Sequence, residues 1–244
     1  MSKFQCKKKF VISHSILSIE KAYRKNQILN YFINKPTYLL IGNYHKKNMS
    51  KIFSIFNSKV INYGVEKIFE QKKISNSLID NKLAYFTSRQ DRNLEYLIKI
   101  WKAFIFPKKM DLKLYVTPLD EDLSKFNIFN RKMLSKNEYI DDLIKARILI
   151  LPGHKAELFC LSALEASELC IPIVTMGYGS LAERVEHGIT GLIAKNSKEF
   201  SNFIIELFNN DKLWLDLRNN LISKRGKNSW ESATYKFLDT IKNN

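Results

Sequence analysis

The chain has 244 residues, enough for one large domain or two modest ones. Hydrophobic residues make up 45% and aromatics 12%, which supplies a core and excludes a disordered chain. Lys and Arg number 40 against 24 Asp and Glu, a formal charge of +16 that favours anionic partners: nucleic acid, phosphorylated metabolites or an anionic membrane surface. A proteome-wide lysine bias would produce the same excess, so charge alone does not choose among them.

The basic start runs into a short apolar stretch that Ser13, His14 and Ser15 interrupt, with no small-residue cleavage site after it. A secretion signal is therefore not expected. No run approaches the ~18 apolar residues of a membrane span. Cys6, Cys160 and Cys170 form no C-x-x-C pair, which argues against a zinc or redox site and suits a reducing compartment. The expected location is the cytoplasm, with peripheral contact at the inner membrane face.

Taken in order, residues 9–14 read as a strand, 18–33 as a helix, 37–42 as a strand, 47–56 as a short helix and 59–65 as a strand ending in a turn at Gly64. A charged stretch over 66–81 follows, and the boundary is expected near residue 75. This makes 1–74 a partial N-terminal α/β portion. The second unit, 75–227, reads more cleanly. Strands are expected at 82–88, 111–118, 147–153, 172–176 and 191–194, and helices at 92–105, 136–146, 159–170 and 197–210. The first of these helices carries Leu94, Leu97, Ile98 and Trp101 on one face. Asn196 with Glu199, and Asn228 with Glu231, read as helix starts of capping-box type. Residues 228–244 form a C-terminal helix expected to pack back on the N-terminal portion. Alternating strands and helices imply right-handed crossovers and a parallel, Rossmann-like α/β sheet with helices on both faces.

In such sheets ligands sit beyond the carboxyl ends of the strands. Residues 153–161 occupy that place, and the helix after them should begin near Phe159 to Leu161. Its first N–H groups lack intrahelical partners and carry about half a positive charge, so a phosphate or diphosphate is stabilised there. Glu157 lies just before this start and Glu165 inside the helix. Both can accept hydrogen bonds from sugar hydroxyls. Spacing alone equally allows Glu157 as a helix-dipole partner and Glu165 as an exposed helix glutamate.

The segment "ELFCLSALEASELCIPIVTMGYGSLAERVEHGITGLIA" resembles the donor-binding segment of the family 4 retaining glycosyltransferases, often labelled group 1. That motif has a Glu, then Gly-Phe-Gly or a near variant, a second Glu-Ala eight positions on, a Pro-containing strand, a glycine turn, an acid and a closing Gly-x-x-Gly. Glu157, Phe159, Glu165-Ala166, Ile171-Pro172-Ile173-Val174, Gly177, Gly179, Glu183, Gly188 and Gly191 fall in register with it. The resemblance implies a GT-B fold of two Rossmann-like domains. It also implies that Glu157 contacts the transferred sugar, Glu165 holds the nucleotide ribose, and the amides of Phe159, Cys160 and Leu161 bind the diphosphate.

Upstream, "KLAYFTSRQDRNLEYLIKIWKAF" looks like the family's strand, turn and helix that place two cations on the diphosphate. Arg89 and Arg92 match those positions, although the family often has lysine at the second. By the same resemblance Leu134 lies near the nucleotide base, and His14, at the end of "KFVISHS", lies near the reaction centre. The family's first domain is normally larger and opens with a glycine-rich loop that has no counterpart here, so the N-terminal part reads as shortened.

The implied function is retaining transfer of a sugar from a nucleotide-diphosphate sugar to a glycan or lipid-linked acceptor, with no metal and no cofactor. The alternatives are a non-catalytic nucleotide-sugar-binding protein, or one subunit of a split transferase whose partner chain supplies the missing half. Nucleic acid is not an expected partner: no helix-turn-helix, zinc or aromatic RNA-binding signature is present.

Overall fold

The structure is a computed structural model that describes residues 8–75, 77–117 and 119–242. Cys6 therefore lies outside the described residues. The N-terminal part runs β1 (Phe10–Ser13), α1 (Ile19–Arg24), α2 (Ile28–Asn34), β2 (Thr37–Leu40), α3 (Asn43–Lys47), a 3-10 turn at Lys51–Ile55, β3 (Ser58–Val60) and α4 (Lys67–Gln71). Its three strands pair in parallel in the order β1-β2-β3. The expected helix over 18–33 is two helices, because Asn26 adopts a left-handed φ of 50° between them. The expected strand over 59–65 is a strand only over Ser58–Val60, and its last bond to β2 is from Ile61 N–H to Leu40 O at 2.8 Å.

The larger part begins with β4 (Leu83–Phe86) and α5 (Leu94–Ile100), which continues as a π-helical turn over Trp101–Ile105. Then come β5 (Lys113–Val116), β6 (Ile128–Asn130), α6 (Lys136–Leu143), β7 (Ile148–Gly153), α7 (Leu161–Glu168), β8 (Ile173–Tyr178), α8 (Leu181–Arg184) and β9 (Gly191–Ile193). The chain closes with α9 (Ser197–Asn209), α10 (Asp211–Lys224) and α11 (Trp230–Lys242). The six strands are all parallel in the order β6-β5-β4-β7-β8-β9. This is the doubly wound order, and the winding reverses between β4 and β7, where such sheets bind ligands. β7 is buried along its whole length because helices cover both faces, which is why its sequence is an unbroken apolar run.

Leu94, Leu97 and Trp101 are buried as the helical period requires, and the Trp101 indole donates to Phe126 O at 2.9 Å. β6 and α10 are additions to the sequence reading. β6 has three residues, too few to show a period. α10 does carry a legible stripe, Trp214, Leu217 and Leu221, all buried.

The two parts meet through the C-terminal crossing. Val65 N–H donates to Asn228 O at 2.8 Å, and Trp230 N–H donates back to Val65 O at 3.2 Å. Gly64 permits this approach, since a Cβ there would lie 2.2 Å from Trp230 N. α11 is capped by Ser229, whose hydroxyl accepts from Ser232 N–H at 3.0 Å, rather than by Asn228. The Asn228 amide is turned instead to the buried Glu168 carboxylate, 3.3 Å away. α11 then returns to the N-terminal sheet, where Trp230 and Ala233 line an apolar cavity with Leu39 and Ile41.

Candidate functional site

β7 ends at Gly153, and residues 154–160 loop out beyond the sheet before α7 begins at Leu161. Cys160, at the helix start, has a φ of 57°. The left-handed region favours glycine, and in the family motif a glycine stands here. The Cys160 thiol is buried and pushed up to about 12 by loss of solvent, so it is inert as a nucleophile at neutral pH. The amides of Phe159, Cys160 and Leu161 have no acceptor among the described residues. The Phe159 carbonyl, in contrast, accepts from Arg184 Nε at 3.1 Å, with the guanidinium 3.9 Å from the Phe159 ring centroid. Burial lowers the Arg184 pKa from its ordinary value.

The Glu157 loop is tied to the turn after β8. Ser180 N–H donates to Glu157 O at 2.9 Å, and Gly179 allows that turn to approach. The Glu157 carboxylate accepts from Arg92 Nε at 3.1 Å, an ion pair whose side chains are 12% and 19% exposed for Arg92 and Glu157. Asp91 lies between the two arginines. It accepts from Arg92 Nη1 at 2.6 Å and from Arg89 Nε and Nη2 at 3.1 and 3.0 Å. Thus Arg92 reaches across from the β4–α5 loop to the α7 side, while Arg89 stays exposed at the rim. Asn93 fixes the same loop by donating its side-chain amide to Gly153 O.

A cavity of about 350 Å³ lies between these groups, lined by Arg89, Arg92, Glu157, the 158–162 segment and, from the N-terminal part, His14 and Tyr63. The Tyr63 hydroxyl and His14 Nδ1 are hydrogen-bonded at 2.7 Å, and the Tyr63 ring packs 5.2 Å from Phe159. Burial raises the Tyr63 pKa, which keeps the phenol protonated. A second, larger cavity of about 610 Å³ adjoins it and shares Thr87, Ser88 and Arg89. Glu165, Leu134, Arg131 and Tyr139 line this one.

Glu165 is not an exposed helix glutamate. The Tyr139 hydroxyl donates to its Oε2 at 3.1 Å, and burial raises its pKa despite that bond. All nine sequence-derived site residues line one or both cavities: His14, Arg89, Arg92, Glu157, Phe159, Cys160 and Leu161 the first, Leu134 and Glu165 the second, with Arg89 in both. Sequence reading missed Asp91, Tyr139, Tyr63 and Arg131. Asp91 had a local signal, an acid flanked by two arginines. The other three join the site only through the fold.

Residues 128–227 match the sequence family of glycosyl transferases group 1. Among solved structures the chain resembles TarM of S. aureus at 18% identity, covering 95% of this chain and 50% of that one with a TM-score of 0.73. It resembles the pneumococcal O-GlcNAc transferase GtfA at 13% identity, covering 96% and 52% with a TM-score of 0.71. It resembles Anabaena HepE at 13% identity, covering 96% and 71% with a TM-score of 0.74. The chain thus spans about half the length of TarM and GtfA. No curated protein matches the sequence. With its doubly wound sheet, its second smaller parallel sheet and these likenesses, the chain has the GT-B fold, and its segment 128–227, which carries Glu157, Glu165 and α7, is the part that matches the group 1 glycosyl transferases.

Proposed function

We propose that this protein transfers a sugar from a nucleotide-diphosphate sugar to a glycan or lipid-linked acceptor, with retention at the anomeric carbon and without a metal ion. The observation that carries this reading is the pair of joined cavities at the sheet's switch point. One presents a ribose-type acceptor, Glu165, beside Leu134. The other presents Arg89, Arg92, Glu157 and the amino end of α7. The solved structures of TarM and GtfA hold UDP, and one of HepE holds UDP-glucose, which supports the same class of donor here.

In this reading the diphosphate rests at the border of the two cavities. The α7 amides donate to it, and Arg89 turns from Asp91 toward it. Arg92 keeps Nε on Glu157 and contributes further N–H donors from its five. Glu157 accepts from a hydroxyl of the transferred sugar and holds the ring for attack. The donor's own leaving phosphate accepts the acceptor's proton on the same face of the sugar, so the C–O bond to phosphate breaks as the bond to acceptor forms. Guanidinium groups and amides aimed at the developing phosphate charge stabilise that step electrostatically. His14, on the N-terminal side of the cleft, stands where an acceptor enters.

The test is transfer of a labelled sugar by the purified protein, with and without a chelator. Turnover unchanged by chelation is the expected result, and turnover abolished by it removes the metal-free mechanism. A second reading is a binding-only protein or one subunit of a split transferase. Its support is the likeness of the chain, at a TM-score of 0.69, to a solved GtfA/B complex. Nucleotide-sugar binding without turnover, with turnover restored by a second chain, decides for it.

A further inference from the structure

Arg131 follows β6, and its backbone is held in place: Arg131 N–H donates to Val116 O at 2.7 Å. Its guanidinium carbon lies 4.5 Å from the Tyr139 ring centroid and 5.9 Å from that of Tyr85. Those ring faces take the charge but accept none of its in-plane N–H groups. Nε and Nη1 are buried and have no hydrogen-bond partner among the described residues, and no carboxylate forms an ion pair with the group. Buried donors without acceptors are rare and costly in a folded protein. This one lines the cavity that also holds Glu165 and Leu134.

Within the proposed donor site, on which this step rests, the diphosphate lies toward the shared Thr87–Arg89 border and the ribose at Glu165. The base then occupies the end lined by Leu134, Thr117 and Arg131. We infer that Arg131 selects the base, accepting a ring that carries a carbonyl oxygen where cytosine and adenine carry an amino group. A guanidinium N–H donates to that carbonyl, O4 of uracil or O6 of guanine, where guanine N7 also accepts, and an amino group at that place sets donor against donor. The class is therefore uridine or guanosine diphosphate sugars.

Calorimetric titration with UDP, CDP, GDP and ADP tests this, since UDP and CDP differ only in the 4-oxo or 4-amino group and the proton on the N3 beside it, and GDP and ADP carry the same exchange at the 6-position. The wild type is expected to bind one oxo nucleotide roughly tenfold or more tighter than its amino counterpart. Arg131→Leu is expected to lose this preference while its melting temperature without nucleotide stays the same or rises, because two buried N–H donors without acceptors have gone. A residue serving stability alone would lower that temperature. Arg131→Lys, which keeps stem and charge, is expected to fold and to weaken the preference, since an ammonium lacks the planar fork. A wild type that binds nucleotides without discrimination, or variants that keep the full preference, overturns the base assignment alone. A wild type that binds none of the four overturns the donor-site reading as well.

Discussion

At the residue scale the site is a set of paired charges. Glu157 and Arg92 pair from opposite loops, so removing Arg92 leaves a largely buried Glu157 unpaired, while removing Glu157 leaves Arg92 with Asp91 alone. A double-mutant cycle of Glu157→Gln and Arg92→Met in chemical denaturation is expected to give a coupling of about 1–3 kcal/mol. A coupling indistinguishable from zero would mean that the pair does not hold the two loops together. Glu165 behaves differently because burial raises its pKa. The folded chain then binds a proton more tightly than the unfolded chain, and this group's contribution to stability falls as pH rises between the ordinary and the raised values. Glu165→Gln keeps an acceptor for Tyr139 and loses the charge. It is expected to be at least as stable as the parent at neutral pH, to lose that advantage in mild acid, and to bind nucleotide roughly tenfold or more weakly, the loss of a charged acceptor for ribose. Denaturation followed across pH, with a nucleotide titration, checks each part. The two glutamates were legible from their spacing and from the family motif. Tyr139 and Arg131 were not, because their relation to Glu165 and to the cavity depends on how α6 and β6 pack.

At the element scale, α7 and the loop before it are supported from the turn after β8. Gly179 has a φ of 68°, and a Cβ there would sit 2.3 Å from His154 O and 2.8 Å from Glu157 O. Gly179→Ala is therefore expected to destabilise by about 2 kcal/mol or more and to displace Glu157. A circular-dichroism melt reads the first effect and nucleotide-sugar binding the second; an alanine variant with the parent's melting temperature and affinity contradicts the support role. Strands such as β7 and helices such as α9 were readable because their apolar period is long and their ends are marked. Asn196 does cap α9, accepting from Glu199 N–H at 2.9 Å, while the Glu199 carboxylate accepts from Lys195 N–H. The break between α1 and α2 was harder to see, since it depends on Asn26 taking a left-handed conformation that a propensity pattern does not reveal.

At the scale of the whole molecule, part of the basic excess is structural. Arg147 is fully buried, donating to Leu207 O at 2.7 Å and Ile79 O at 2.8 Å and stacking on Trp214. Arg218 donates to Cys170 O and Ser75 O, and Arg225 gathers the carbonyls of Phe69 and Glu70 near the end of α4. These arginines join segments distant in sequence and are not available to an anionic partner. The cleft, by contrast, needs both parts of the chain: His14 and Tyr63 from one side, Arg92 and Glu157 from the other. Composition could not separate these two uses of positive charge, because both come from the same residue types.

The most direct measurement is calorimetric binding of a panel of nucleotide-diphosphate sugars in the presence of a chelator. The account predicts one-site binding of at least one of them by the wild type, weakened roughly tenfold or more by Glu165→Ala and by Arg89→Ala. Binding that neither substitution alters, or no binding by any member of the panel, would contradict it.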